Sequence, residues 1–356
     1  MLNNLEHYHH SHNHKHCEHN HKNCDHVKQK SNDVTHKIPV TIIGGFLGAG
    51  KTSVVNSILS KKTDRIDVLV REYGSVSIDD MLINLDKKNI HVFPGISMHH
   101  DPQIMLYGFL DYLYDKTNGT SFDHLLMELS GLDSPEQLVQ LFFLGNMRTK
   151  YRLASFITII DAEYGQLNLD DYSVAVEQIA QADVILINKI DLVSNEELKK
   201  LSNRVQKINS YAKIFYTKYG EAELKDILDV DFLQQLYDLN KNVSKGDDKL
   251  LNDNIKTVVL NERNPLDKEK VNDWIQNLFV TDGVKLLRSK GFFNFSNSDY
   301  RYEFQAVRKT FHSKADRLWE SGEERKSVIV LIGEGLDEQK YQESFRNCIA
   351  NGVSQI

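Results

Sequence analysis

From about residue 38 to residue 220, short apolar-rich runs alternate with longer stretches in which apolar residues recur every three or four positions. The short runs, at 40–43, 66–70, 122–127, 156–160 and 182–187, carry many β-branched residues and little regular polar alternation. That pattern predicts strands covered on both faces, as in a parallel sheet. The stretches between them predict helices: Val54, Val55, Ile58 and Leu59 share one face, residues 102–117 read as helical, and Leu138, Leu141, Phe142 and Leu144 make another apolar stripe. The expected architecture is α/β, with a mostly parallel sheet. Residues 241–254 are polar, charged and contain glycine, which predicts a linker. Beyond it the period changes. A strand at 256–260 and a helix at 267–279 are followed by strand-like runs at 284–295, 300–310 and 327–332. A closing helix at 337–350 carries Tyr341, Phe345 and Ile349 on one face. This second pattern predicts a smaller α+β domain with a mixed or antiparallel sheet. The expected organisation is therefore a tail at 1–36, an α/β domain at 37–240, the linker, and an α+β domain at 255–356.

The first apolar run breaks into a glycine-rich turn and resumes as a helix. Gly45, Gly50, Lys51 and Thr52 fill the G-x-x-x-x-G-K-S/T template between a predicted strand and a predicted helix, the context a phosphate loop requires. Glycines let successive backbone N–H groups curl toward one point, and the helix N-terminus adds unpaired donors and partial positive charge. The reading places the phosphates of a nucleoside triphosphate on Gly45, Gly48, Ala49, Gly50, Lys51 and Thr52. Lys51 reaches the β- and γ-phosphates, and the Thr52 hydroxyl ligates Mg²⁺. The run at 122–127 delivers Glu128, placed where proteins with this loop hold the Mg²⁺ shell or its water; a carboxylate capping the next turn is the plainer alternative. The catalytic candidates are thus Lys51, Thr52 and Glu128. Asn188, Lys189 and Asp191, in the order N-K-x-D, follow the run at 182–187. A carboxylate there accepts the ring N–H and the exocyclic amino group of guanine, a donor pair that adenine lacks, so the expected ligand is GTP rather than ATP.

Composition changes the picture in three places. Residues 1–36 hold ten of the fifteen histidines, among them His9, His12, His14, His16, His19 and His21, together with Cys17 and Cys24. Interleaved polar residues leave almost nothing to bury, so the segment is expected to be disordered without metal. Its imidazoles and thiols suit Zn²⁺, Co²⁺ or Ni²⁺. The histidines are interrupted, unlike an expression tag. Second, 43 basic against 50 acidic residues give a modestly negative chain, which argues against nucleic acid as the main partner. Third, only three cysteines occur and no apolar run reaches the length of a membrane span, so no disulfide framework, signal peptide or membrane anchor is expected, and a cytoplasmic setting fits. Cys348 lies near the last helix's apolar stripe and reads as a buried structural thiol.

Several ordered motifs together resemble the CobW-like GTPases, relatives of the hydrogenase and urease metal-insertion GTPases. They are GGFLGAGKT at 44–52, REYGSVSID at 71–79, MELSGL at 127–132, NKIDL at 188–192, and KLLRSKGFF with RLWESGEERKSVIVLIGEGLDE near the C-terminus. The resemblance implies a GTPase that delivers a transition metal, usually zinc or cobalt, to a client protein, with loops 71–79 and 95–101 rearranging on hydrolysis. In the family's C-x-C-C metal motif this chain has Ile96, Ser97, Met98 and His99, with His100 next, and no cysteine. Two consequences stay open: His99 and His100, with Glu72 or Asp79, form a harder N/O site, or the tail is the sole metal binder. The expected function is a metallochaperone with slow GTP turnover in the absence of a partner, for a client of unidentified kind, and a homodimer is compatible with it. A metal store on a GTPase-like scaffold and an ATP-dependent kinase or ligase are the rival readings.

Overall fold

The computed structural model describes residues 37–61, 65–72, 90–94, 102–117, 119, 121–221, 228 and 255–351. The tail at 1–36 and the linker at 241–254 lie outside them. The described residues belong to one compact unit that spans 35–356.

The first sheet has seven parallel strands: β1 (Ile38–Gly45), β2 (Ile66–Glu72), β3 (Ile90–Pro94), β4 (His124–Glu128), β5 (Tyr151–Asp161), β6 (Val184–Asn188) and β7 (Lys213–Tyr216). Their spatial order is β3-β2-β4-β1-β5-β6-β7. Adjacent residues of each strand serve opposite faces, as the pleat requires. Ile38, Val40, Ile42, Leu125 and Met127 meet helices α2 (Pro102–Thr117), α3 (Pro135–Leu141) and α4 (Met147–Lys150) through Leu106, Leu110, Leu138 and Met147. Ile43, Leu126, Val184 and Leu186 face the other way, onto Val54, Val55 and Ile58 of α1 (Lys51–Lys61). Farther along, Ile185 and Ile187 pack on α5 (Gly165–Asp171), α6 (Ser173–Gln181) and α7 (Asn195–Ile208). Both faces are covered, which is why these strands read as apolar runs.

Two expectations need adjustment here. The helix at 135 stops at Leu141, so Leu144 sits in a turn and is about half exposed instead of continuing the stripe. The alternation along the chain also predicts a single helix between β5 and β6, where the structure has two, α5 and α6.

The second sheet has the order β11-β10-β9-β12-β8 and is antiparallel throughout. It comprises β8 (Ile255–Glu262), β9 (Leu286–Asn294), β10 (Tyr300–Val307), β11 (Thr310–Leu318) and β12 (Ser327–Glu334). Sequence reading found three strands after the helix at 267; there are four, and β11 is the addition. One face, with Phe293, Phe304, Ile329 and Leu331, is covered by α8 (Lys268–Thr281) and α9 (Glu338–Arg346). Helix α8 offers Val271, Trp274, Ile275, Leu278 and Phe279 at helical spacing, and Asp267 caps its start by accepting from the N–H groups of Glu269 and Lys270. Cys348 is buried among them, and burial pushes its thiol up to about 11. The opposite face, with Leu287, Phe292, Val328, Val330 and Ile332, lies on Ala180 of α6 and on Tyr211, joining the second sheet to the first body.

Candidate nucleotide site

The site is built at the carboxyl ends of the parallel strands, where α/β sheets place ligands. Strand β1 ends at Gly45, and Gly45, Gly48 and Gly50 all have positive φ, at 143°, 74° and 100°. At Gly50 the requirement is twofold: the left-handed backbone, and a Cβ that would come within 2.5 Å of Asn188 Nδ2. The Ala49 N–H turns back to the Phe46 carbonyl at 3.2 Å, and Val54 N–H to Gly50 O at 3.1 Å begins the helix. Lys51, the first residue of α1, arches over this loop and donates to the carbonyls of Gly45 (3.1 Å) and Phe46 (3.3 Å).

Thr52 follows, and its hydroxyl donates to Glu128 Oε1 at 2.9 Å. The meeting is a product of topology. Strand β4 lies beside β1 with Ile43 opposite Glu128, so the last residue of β4 arrives next to the start of α1. Glu128 is only 2% exposed. A hydroxyl beside a carboxylate is an oxygen donor set suited to a hard divalent ion such as Mg²⁺. The chain after Glu128 is packed against the phosphate loop: a Cβ at Gly131 would sit 2.5 Å from the Leu47 nitrogen. Asp133 closes that segment, accepting from the Ser130 N–H at 3.1 Å and facing Arg71 of β2 at 3.7 Å.

On the other side of β1, β5 and β6 end in register with Asp161 opposite Asn188. Asn188 has a task that sequence reading did not give it. Its amide is buried; Nδ2 donates to Ala49 O at 3.0 Å, and Oδ1 accepts from Thr217 Oγ1 and from the Gly220 N–H, each at 3.0 Å. The side chain therefore ties the phosphate loop to the segment after β7. Lys189 adopts a left-handed backbone (φ 62°) and donates from Nζ to Asp161 Oδ2 at 2.7 Å. Asp191 lies in the 3-10 turn Ile190–Leu192 and is exposed at the rim. Phe46 of the phosphate loop and Tyr172, between α5 and α6, stack at 4.5 Å with a tilt of 38°.

The structure thus brings together Gly45, Gly48, Ala49, Gly50, Lys51, Thr52, Glu128 and Asn188, with Lys189 on the adjoining strand end. Sequence reading missed Thr217, Gly220 and the part played by Asp161. The first two follow β7, a half-exposed strand of only four residues, too short to establish a period along the chain. Asp161 was visible only as a carboxylate ending a strand. Of the metal candidates Thr52 is described above; Glu72 closes β2, but its side chain, Asp79, His99, His100, and the tail ligands His9, His12, His14, His16, Cys17, His19, His21 and Cys24 lie outside the described residues. Among the described residues no group of three or more His, Cys, Asp or Glu side chains could hold a metal ion. Among them, too, no helix is long and apolar enough to cross a membrane.

Comparison with known proteins agrees with this geometry. Residues 39–216 match the CobW/HypB/UreG nucleotide-binding domain, and residues 255–349 match the C-terminal domain of the cobalamin synthesis protein CobW. The zinc chaperone YjiA of Escherichia coli strain K12 is 30% identical over 319 residues, covering 86% of this chain and 98% of YjiA. The zinc-regulated GTPase metalloprotein activator 1 of Saccharomyces cerevisiae is 25% identical over 364 residues, covering 88% of this chain and 84% of its own. The crystal structure of Zn(II)-bound YjiA GTPase from E. coli superposes with a TM-score of 0.64 at 26% identity, covering 88% of this chain and 99% of that one.

Proposed function

The chain belongs to the CobW/HypB/UreG family, and from that premise we propose that it is a GTP-hydrolysing metallochaperone delivering a transition metal, zinc before cobalt, to a client metalloprotein. The observation that carries the reading is the contact between Thr52 and Glu128 at the head of a phosphate loop that leaves β1, with β5 alone standing between it and the strand that ends in the N-K-x-D turn. Amides of the 45–50 curl and the start of α1 bind the phosphates, and Lys51 exchanges its contacts with the loop carbonyls for the β- and γ-phosphate oxygens. Thr52 and Glu128 are the residues that would hold Mg²⁺, which supplies charge neutralisation at the transferring phosphoryl group. Asp191 reads the guanine edge, while Asn188 acts from behind by fixing the loops around it. Turnover is slow without a partner. The γ-phosphate orders the loops at 71–79 and 95–101, which changes affinity for metal or client.

On the cargo side, His99 and His100, with Glu72 or Asp79, make an N/O site in the loop. The histidines and Cys17 and Cys24 of the tail collect ions, the C-terminal antiparallel domain meets the client, and the setting is the cytoplasm. The deciding experiment is GTP turnover by protein lacking residues 1–36, with Mg²⁺ and with Zn²⁺, Co²⁺ or Ni²⁺, beside a sample in which His99 and His100 are both Ala. Metal-dependent turnover that disappears in the double variant supports the loop site; turnover indifferent to every metal in both samples removes it. A second reading, a metal store, is favoured by the concentration of ten histidines in the tail. Under it, removing residues 1–36 abolishes all metal binding, and GTP alters none of it.

A further inference from the structure

Lys189 stands between the buried Asn188 and the base-reading Asp191, and its side chain is held in one place. The ammonium is 2.7 Å from Asp161 Oδ2, and the carboxylate that holds it is 4% exposed, whereas Lys189 itself remains about one-third exposed. Asp161 is anchored independently: Oδ1 accepts from the Glu163 N–H at 2.9 Å and from the Tyr164 N–H at 3.4 Å. Its backbone is also fixed, because β5 and β6 end in register and the Ala162 N–H reaches Asn188 O at 2.9 Å. The turn that Asp161 caps leads into α5, and the residue after α5, Tyr172, stacks on Phe46 of the phosphate loop.

We infer that Asp161 is a positioning residue for binding of the nucleotide base: it fixes the Lys189 side chain as one wall of the guanine pocket and ties that wall to the turn at 162–164. This rests on the reading of the site as a guanine-nucleotide site. A free lysine at a rim samples many rotamers and must give that freedom up when a base arrives. With the ammonium already engaged, the four-carbon stem is ordered beforehand, and the loss is not charged to binding. The left-handed backbone at Lys189, uncommon for a residue with a Cβ, is the local cost of aiming the side chain back at β5.

The test uses the full chain with Mg²⁺, titrated calorimetrically with GTP, with ATP and with inorganic tripolyphosphate, which carries phosphates and no base. D161N is expected to weaken GTP about tenfold and leave tripolyphosphate unchanged. K189M, which leaves the contacts of Asp161 to Glu163 and Tyr164 in place, is expected to show the same loss, and D161N/K189M no more than K189M alone. The inference is overturned if D161N binds GTP like the native chain, if it weakens GTP and tripolyphosphate equally, or if the double variant adds the two losses. Should D161N not fold, K189M still decides, because native GTP affinity in K189M leaves Asp161 nothing to position. Failure of the underlying reading looks different: the native chain itself would not prefer GTP over ATP.

Discussion

The hydroxyl of Thr52 donates a 2.9 Å hydrogen bond to Glu128, joining the first turn of α1 to the tip of β4, although 76 residues separate the two. Glu128→Gln keeps the shape and an acceptor for Thr52 but removes the negative charge beside the proposed Mg²⁺ position. Because metal-mediated charge stabilisation contributes several kcal/mol to such transition states, GTP hydrolysis is expected to fall about a hundredfold or more, with GTP affinity within several-fold of native. Single-turnover hydrolysis together with a nucleotide-binding titration checks this. Undiminished hydrolysis would reduce Glu128 to a cap for the turn that follows it.

Lys51 lies over Gly45 and Phe46, and in the proposed reading a phosphate takes the place of those two carbonyls as its partner. Lys51→Ala removes a charge-assisted contact worth about 1.5–3 kcal/mol per hydrogen bond, so GTP affinity is expected to drop at least a hundredfold. The zinc binding proposed for the tail should be unaffected. Calorimetry with each ligand in turn reads both, and parallel loss of the two would argue against separate sites.

Asp191 is exposed at the rim, so its replacement disturbs no packing. Asp191→Asn is expected to weaken GTP about a hundredfold and leave ATP nearly unchanged, since only guanine presents the donor pair a carboxylate satisfies. Competition between the two nucleotides on one labelled sample measures the ratio. A ratio equal to that of the native chain would remove the base-reading role.

Much of this site could be read along the chain because its parts are local. The phosphate loop is eight consecutive positions, N-K-x-D is four, and strands covered on both faces announce themselves as apolar runs. What escaped has no local signature. Strand β11 carries His312, Lys314, Asp316 and Arg317 on a sheet edge, where charge deters unwanted pairing and hides the strand from a hydrophobicity pattern. Strand β7 is half exposed, and Thr217 behind it gains meaning only through Asn188. Lys189 and Asp161 are 28 residues apart and meet because parallel strands end side by side. The seam between the sheets joins residues more than a hundred positions apart.

That seam gives the last prediction. Asp183 immediately precedes β6, at the opposite end of the strand from Asn188, and is wholly buried. Its Oδ1 accepts from Arg288 at 2.6 Å and from Lys290 at 3.0 Å, both on β9, while Oδ2 accepts from the Phe156 N–H at 2.9 Å. Arg288 also donates to the Gln181 carbonyl, and Gln181 returns a bond to Leu287 O at 2.8 Å. Burial alone pushes the Asp183 carboxyl up, but the two cations and the N–H outweigh it and hold it below the usual carboxylate range. A carboxyl whose folded pKa is depressed contributes stability above its unfolded value, about 3.9, and loses it as pH falls from there through the folded value. Asp183→Asn removes the anion that two buried cations share and is expected to cost about 3–5 kcal/mol near neutral pH. Urea denaturation of native and D183N protein should show a gap that is constant between about pH 5 and 7 and closes below about pH 4. Replacing the whole cluster, Asp183→Leu with Arg288→Met and Lys290→Met, is expected to recover most of the loss, because apolar side chains of similar volume carry no desolvation penalty. A triple variant as unstable as D183N would mean that the seam needs these charges for its geometry, and that the second sheet is held to β6 by direction as well as by burial.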